Sequence, residues 1–97
     1  MRYAVELHYL VSREQRQSAH PAHAANLKAL ADRGALLLAG PLPDDNAGLL
    51  VYEVGDRAEL QQILDIEPYF AAGYVGEVRV HRWEPRRGSW IPNGTQD

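Results

Sequence analysis

The sequence predicts an α+β domain of four strands and two helices in the order β-α-β-β-α-β, and three observations carry that prediction. Residues 2 to 11 alternate apolar and polar side chains with a period of two. Two later stretches, residues 21 to 33 and from Asp56 to near Pro68, change to helical spacing behind cap-like openings. Three further short runs, rich in Leu, Val and aromatic residues, are bounded by Gly and Pro.

In the first strand Tyr3, Val5, Leu7, Tyr9 and Val11 form the apolar face and Arg2, Glu6 and His8 the polar one. Ser12 with Gln15 three residues on resembles a capping box, which leaves residues 13 to 20 as a helical turn or a loop. Ser18-Ala19-His20-Pro21 reads as a second helix start, with Pro at a tolerated first-turn position. The long helix then carries Ala24, Leu27, Leu30 and Ala31 as its apolar stripe, and Gly34 stands where a left-handed C-cap is expected. Residues 35 to 39 are an unbroken apolar run, predicted as a strand buried on both faces and ending at Gly40-Pro41. Pro41, Pro43 and Asp44-Asp45-Asn46 make residues 41 to 47 a connection to a third strand at 48 to 54. Asp56 and Glu59 open a short helix with Ala58, Leu60, Ile63 and Leu64 on one face. The last strand runs from Tyr74 to Trp83 and Pro85 stops it. Residues 1 to 85 are thus predicted as one domain and 86 to 97 as a polar tail, in which Trp90 and Ile91 are the large apolar side chains available for docking.

This order is that of a ferredoxin-like sandwich, with the first strand in the centre of the sheet beside the third and fourth. Two helices cover one face of such a sheet. The apolar runs at 35 to 39 and 49 to 52 argue against leaving the other face bare, so the sequence predicts a homodimer packed sheet on sheet.

Composition removes whole classes of function. Ninety-seven residues suffice for one core only, and 45% hydrophobic with 24% charged residues is a globular balance rather than a disordered one. No apolar run approaches the length of a membrane span, and Glu6 falls where a secretion signal needs its apolar region, so a cytoplasmic chain with no membrane partner is expected. Zero cysteines exclude disulfides, thiol nucleophiles and zinc-thiolate sites. A net charge of −3, with Lys28 and nine arginines forming no basic block, argues against nucleic acid. Phosphate loops, dinucleotide fingerprints and nucleophile elbows are all missing, so no cofactor is expected.

Three segments carry chemistry: Pro21-Ala22-His23 at the long helix start, Gly34 to Pro41 through the second strand, and Glu67-Pro68-Tyr69-Phe70-Ala71-Ala72-Gly73 before the last strand. In this order, and on these elements, they resemble the YCII-related (YciI-like) family across residues 1 to about 84. The resemblance implies a dimeric α/β barrel of ferredoxin-like subunits and a pocket holding a His–Asp pair. Members of the family act as dehydrochlorinases on chloroaromatic compounds, and similar barrels include muconolactone isomerases and cofactor-free monooxygenases. Carried onto this chain, the histidine falls on His23, while the aspartate position holds Glu67, one methylene longer.

An imidazole beside a carboxylate is a sound general base, because histidine titrates near neutrality and the acid fixes its tautomer. The bland alternative is that His23 is a helix-start surface residue and Glu67 caps a turn. His20 and His23, three residues apart, lack the third ligand that a zinc site needs, so no metal is expected. Glu6 and His8 share one strand parity, and Glu77, Arg79 and His81 share another. Facing away from the helices they would bind an anionic group through Arg79 and His8; otherwise they form a cross-strand charge ladder. Gly40-Pro41 reads either as a strand-ending turn or as a place where a ligand nears the backbone, and Tyr69 either as a substrate-orienting hydroxyl or as core.

The function these residues predict is that of a small cofactor-free enzyme, an isomerase or lyase moving protons on a small organic acid or aromatic-derived metabolite. His23 is its base and Glu67 the orienter, with Gly40, Pro41 and Tyr69 in the wall. Two alternatives stand beside it: a non-catalytic dimeric small-molecule-binding or accessory protein, and a structural dimer with a vestigial pocket.

Overall fold

Period-two alternation produces β1 (Arg2–Tyr9), whose Tyr3, Val5 and Leu7 are buried while the intervening side chains are not. The computed structural model describes residues 1–91. After β1 come α1 (Arg13–Arg16), α2 (His20–Asp32), β2 (Leu36–Leu42), a 3₁₀ turn at Pro43–Asp45, β3 (Ala47–Glu53), α3 (Arg57–Asp65), α4 (Pro68–Ala71) and β4 (Val75–Arg82). The sheet order is β2-β3-β1-β4 with every pairing antiparallel, the ferredoxin-like arrangement, and β1 is central as predicted. Residues 92 to 97 of the expected tail lie outside the described residues; within them Trp90 is 80% exposed rather than docked.

Local chemistry sets the element ends. Ser12 and Gln15 form the expected reciprocal box, Ser12 N–H donating to Gln15 Oε1 at 2.8 Å and Gln15 N–H to Ser12 Oγ at 3.2 Å. Gly34 (φ +79°) closes α2: its N–H reaches the Ala31 carbonyl, and Ala35 N–H reaches that of Leu30. Gly73 (φ +76°) closes α4 the same way, through Phe70 and Tyr69. Each is a Schellman motif, in which the left-handed residue has no Cβ to strain.

Two expectations are corrected. The second strand does not stop at Ala39 but continues through Gly40 and Pro41 to Leu42, with Pro41 opposite Gly48. β2 is an edge strand, where one side of the backbone has no ladder partner and a missing N–H does no harm. For the same reason residues 37 to 39 are exposed in the single chain rather than buried on both faces. The stripe of α2 also differs: His23, Asn26, Leu27 and Leu30 turn inward, while Ala24 and Ala31 stay exposed. The helix is rotated so that a histidine, not an alanine, meets the protein interior.

The core lies between helices and sheet, where Tyr3, Val5, Leu7, Leu50 and Tyr52 meet Leu60, Ile63 and Leu64 of α3. The opposite sheet face carries by register Leu38, Leu49 and Val51 on β2 and β3 and Glu6, His8, Arg79 and His81 on β1 and β4, with Ala4 between Val51 and His81. Glu6 sits between two imidazoles, with His8 Nε2 at 3.2 Å from one carboxylate oxygen and His81 Nε2 at 3.1 Å from the other. The bond to His81, then that to His8, holds the Glu6 carboxyl below its ordinary range. Among the described residues no helix is long and apolar enough to cross a membrane.

Candidate active site

Glu67 precedes a proline, which keeps its backbone extended (φ −65°, ψ 124°) and makes it the N-cap of α4. Tyr69 N–H donates to Glu67 Oε2 at 2.6 Å, and Oε1 faces His23 Nδ1 in hydrogen-bond contact. One carboxylate therefore caps a turn and holds the histidine, so the two sequence readings of Glu67 describe the same side chain. Glu67 is fully buried and His23 retains 12% side-chain exposure. A carboxylate accepts and cannot donate, so the hydrogen lies on Nδ1 and the lone pair on Nε2, which has no protein partner among the described residues. Tyr69 fixes the ring further: its phenol stacks on His23 with centroids 3.9 Å apart and planes 10° from parallel.

The pair opens on a cavity of about 700 Å³ between the start of α2 and the β2–β3 hairpin. Gly40, Pro41 and Tyr69 lie in its wall, as the sequence suggested. Tyr69 is 4% exposed, so it is core and wall at once. Gly48 is needed as glycine, because a Cβ there would fall 2.7 Å from the Tyr9 hydroxyl oxygen. Tyr9 packs edge-on to Tyr69, centroids 5.5 Å apart at 87°.

His8 and Arg79 belong elsewhere. They are on the other face of the sheet, where Arg79 gives Nε and Nη2 to the Glu77 carboxylate at 3.0 and 3.2 Å. The sequence left open whether they face away from the helices; they do, and the cavity-lining residues lie on the helix side, so His8 and Arg79 do not share the cavity of His23. His20 approaches His23 to 6.2 Å between centroids, and no group of residues suited to a metal occurs among the described residues.

The sequence reading missed Tyr9, Arg16 and Asn46. Arg16 stacks its guanidinium 3.9 Å from the Tyr9 ring centroid, and Asn46 takes the left-handed conformation (φ 49°) that aims its amide at the Val11 carbonyl, 3.0 Å away. The Ser12 box fixes where Arg16 falls, and Asp45-Asn46 is turn chemistry tolerant of positive φ. Their meeting across 30 residues has no local signature.

Burial pushes the Tyr9 phenol up from 10.0 to about 12, against the opposing charge of Arg16. Burial raises Tyr69 as well, again opposed by Arg16. A phenol whose proton is held more tightly in the folded state contributes stability that is whole below pH 10 and lost as pH climbs to about 12. Alkaline titration followed by phenolate absorbance is therefore expected to show Tyr9 ionising together with loss of fold. Its removal in Tyr9→Phe should take one proton out of that step.

The YCII-related domain family matches residues 1–84. The chain belongs to that family. Protein YciI of Escherichia coli O6:H1 and that of Shigella flexneri are each 40% identical to this YCII-related chain over 79 residues, covering 71% of it and 81% of the relative. A solved structure with the same fold is 5-chloro-2-hydroxyhydroquinone dehydrochlorinase (TftG) from Burkholderia phenoliruptrix AC1100, in complex with 2,5-dihydroxybenzoquinone. Its TM-score is 0.75 at 21% identity, over 87% of this chain and 94% of that one. At that identity the likeness is one of fold.

Proposed function

We propose that this YCII-related protein is a cofactor-free isomerase or lyase that moves a proton on a small organic molecule, with His23 as general base and Glu67 as its orienter. The observation that carries the reading is the contact of His23, in the wall of a cavity, with a fully buried Glu67 behind it. Burying a carboxylate is costly unless it is paired, and here the pairing leaves Nε2 as an acceptor. In the reaction Nε2 takes the substrate proton and the C–H electron pair becomes a π bond. Either a leaving group departs as its anion, or the proton returns at another carbon. Glu67 stabilises the imidazolium while it exists. The dehydrochlorinase of the same fold supports elimination as the reaction class. The test is proton exchange: small enolisable acids and halogenated hydroquinones are incubated in deuterated water, and deuterium incorporation and halide release are followed. The expected result is exchange or release that His23→Gln abolishes; equal rates with the variant would overturn the reading and favour a binding module.

We further propose a homodimer joined through the open sheet face. Leu37 and Leu38 are 45% and 43% exposed there and along its edge in the single chain, and Trp83 is 46% exposed. Sedimentation at micromolar concentration is expected to give twice the chain mass, and a monomer alone would contradict it.

A further inference from the structure

We propose that Arg16 selects the substrate of this site, a small planar organic anion seated with its oxyanion on the guanidinium and its carbon skeleton beside the Tyr69–His23 stack; this rests on the proton-transfer reading above. The cavity wall carries Arg13, Arg16, His20 and His23 but, among the described residues, no Asp or Glu, although the chain as a whole has a net charge of −3. Arg13 and Arg16 thus face the cavity with no acidic side chain in its wall and the Glu67 carboxylate buried behind His23, and a cleft lined by positive charge draws anions in.

Of the two arginines Arg16 is the one held in position. Its Nη1 donates to the Val11 carbonyl and to Asn46 Oδ1, both at 2.9 Å, and its plane lies over Tyr9. Among the described residues no carboxylate pairs with it, whereas Arg2, Arg79 and Arg82 each have one. A guanidinium that is half-buried, oriented by neutral groups and lacking a counter-ion is prepared for an oxyanion from outside, since ordering it costs nothing further on binding. Tyr69 joins it to the base: its ring stacks on His23, and its phenol lies close enough to Arg16 for that charge to oppose the rise that burial gives it. An oxyanion on Arg16 therefore lies about one aromatic ring from the imidazole. When Nε2 removes a proton from the carbon beside a carboxylate, the C–H electron pair becomes a C=C bond to the carboxyl carbon and the C=O π pair moves onto the oxygen that faces Arg16, where a fixed positive charge meets it.

A carboxylate and a phenolate both present an oxyanion to the guanidinium, so both are used as probes. Benzoate, para-nitrophenolate and neutral benzamide are titrated into the protein, and binding is read from amide and Arg16 side-chain NMR shifts. Wild-type protein is expected to bind at least one of the anions about tenfold or more tightly than benzamide, and the tighter anion identifies the class. Arg16→Met is expected to remove that preference, Arg16→Lys to keep part of it because charge survives without the planar fork, and Arg33→Met, exposed and outside the cavity, to leave it intact. Equal affinity for anion and benzamide in the unaltered protein, a comparison that needs no variant, would overturn the proposal, as would full preference in Arg16→Met. Deuterium exchange is measured in parallel. His23-dependent exchange without anion preference overturns the role of Arg16 alone; anion preference without exchange supports that role and overturns the proton-transfer reading.

Discussion

Replacing His23 with Gln, or Glu67 with Gln, is expected to lower turnover by about 10²–10⁴-fold, the usual worth of a positioned general base. His23→Gln removes the imidazole that stacks on Tyr69 in the cavity wall, while keeping an N–H that can still donate to Glu67. Glu67→Gln leaves the imidazole in place but ends the charge that stabilises its protonated form and fixes its tautomer. The double variant is expected to be little worse than either single one, because the two groups act as a unit. Glu67→Asp is expected to fall between, since the shorter acid must serve both Tyr69 N–H and His23 Nδ1 from a backbone fixed by Pro68. Initial rates on whichever probe shows exchange will check all four.

The second large effect is on stability. Both residues lie at element ends, which by sequence alone suggests that the fold would be indifferent to them. Glu67, however, has no solvent exposure. His23→Ala leaves a buried carboxylate with one oxygen unpaired, a situation that costs about 3–5 kcal/mol in full burial and somewhat less where a truncated neighbour lets water approach. For a domain of this size that is a fall in Tm of about 10 °C or more. Removing the charge should repair the damage, so His23→Ala combined with Glu67→Gln is expected to be more stable than His23→Ala alone. Thermal unfolding followed by circular dichroism will check the order of the three proteins. A His23→Ala variant as stable as the parent would mean that the carboxylate is not charged in the folded protein.

How much of this was legible follows from what is local. The alternation of β1, the Ser12–Gln15 box and Gly34 act within four or five residues of themselves, and each falls where the sequence places it. Pro41 was misread because edge position is a property of the sheet, not of the dipeptide: beside a second ladder partner it would have ended the strand. The stripe of α2 was misread for a related reason. Ala24 and Ala31 fit a helical apolar period, but small side chains bury little, and the contact of His23 with Glu67 decides which face turns inward. The parity of His8 and Arg79 was read correctly, yet parity says only that two residues share a face, not on which face the cavity lies. Arg16 was invisible because its partners Tyr9 and Asn46 come from separate strands and turns that only the tertiary fold brings together.

The most direct test of the account is the tautomer of the His23 ring. Long-range proton–nitrogen correlation spectra of ¹⁵N-histidine protein, recorded where the ring is neutral, report which nitrogen carries the hydrogen. The account requires it on Nδ1, toward Glu67, with Nε2 bare toward the cavity, and expects that preference to vanish in Glu67→Gln. A neutral His23 ring protonated on Nε2 in the parent protein would contradict it, because the nitrogen facing the substrate would then have no lone pair with which to take a proton.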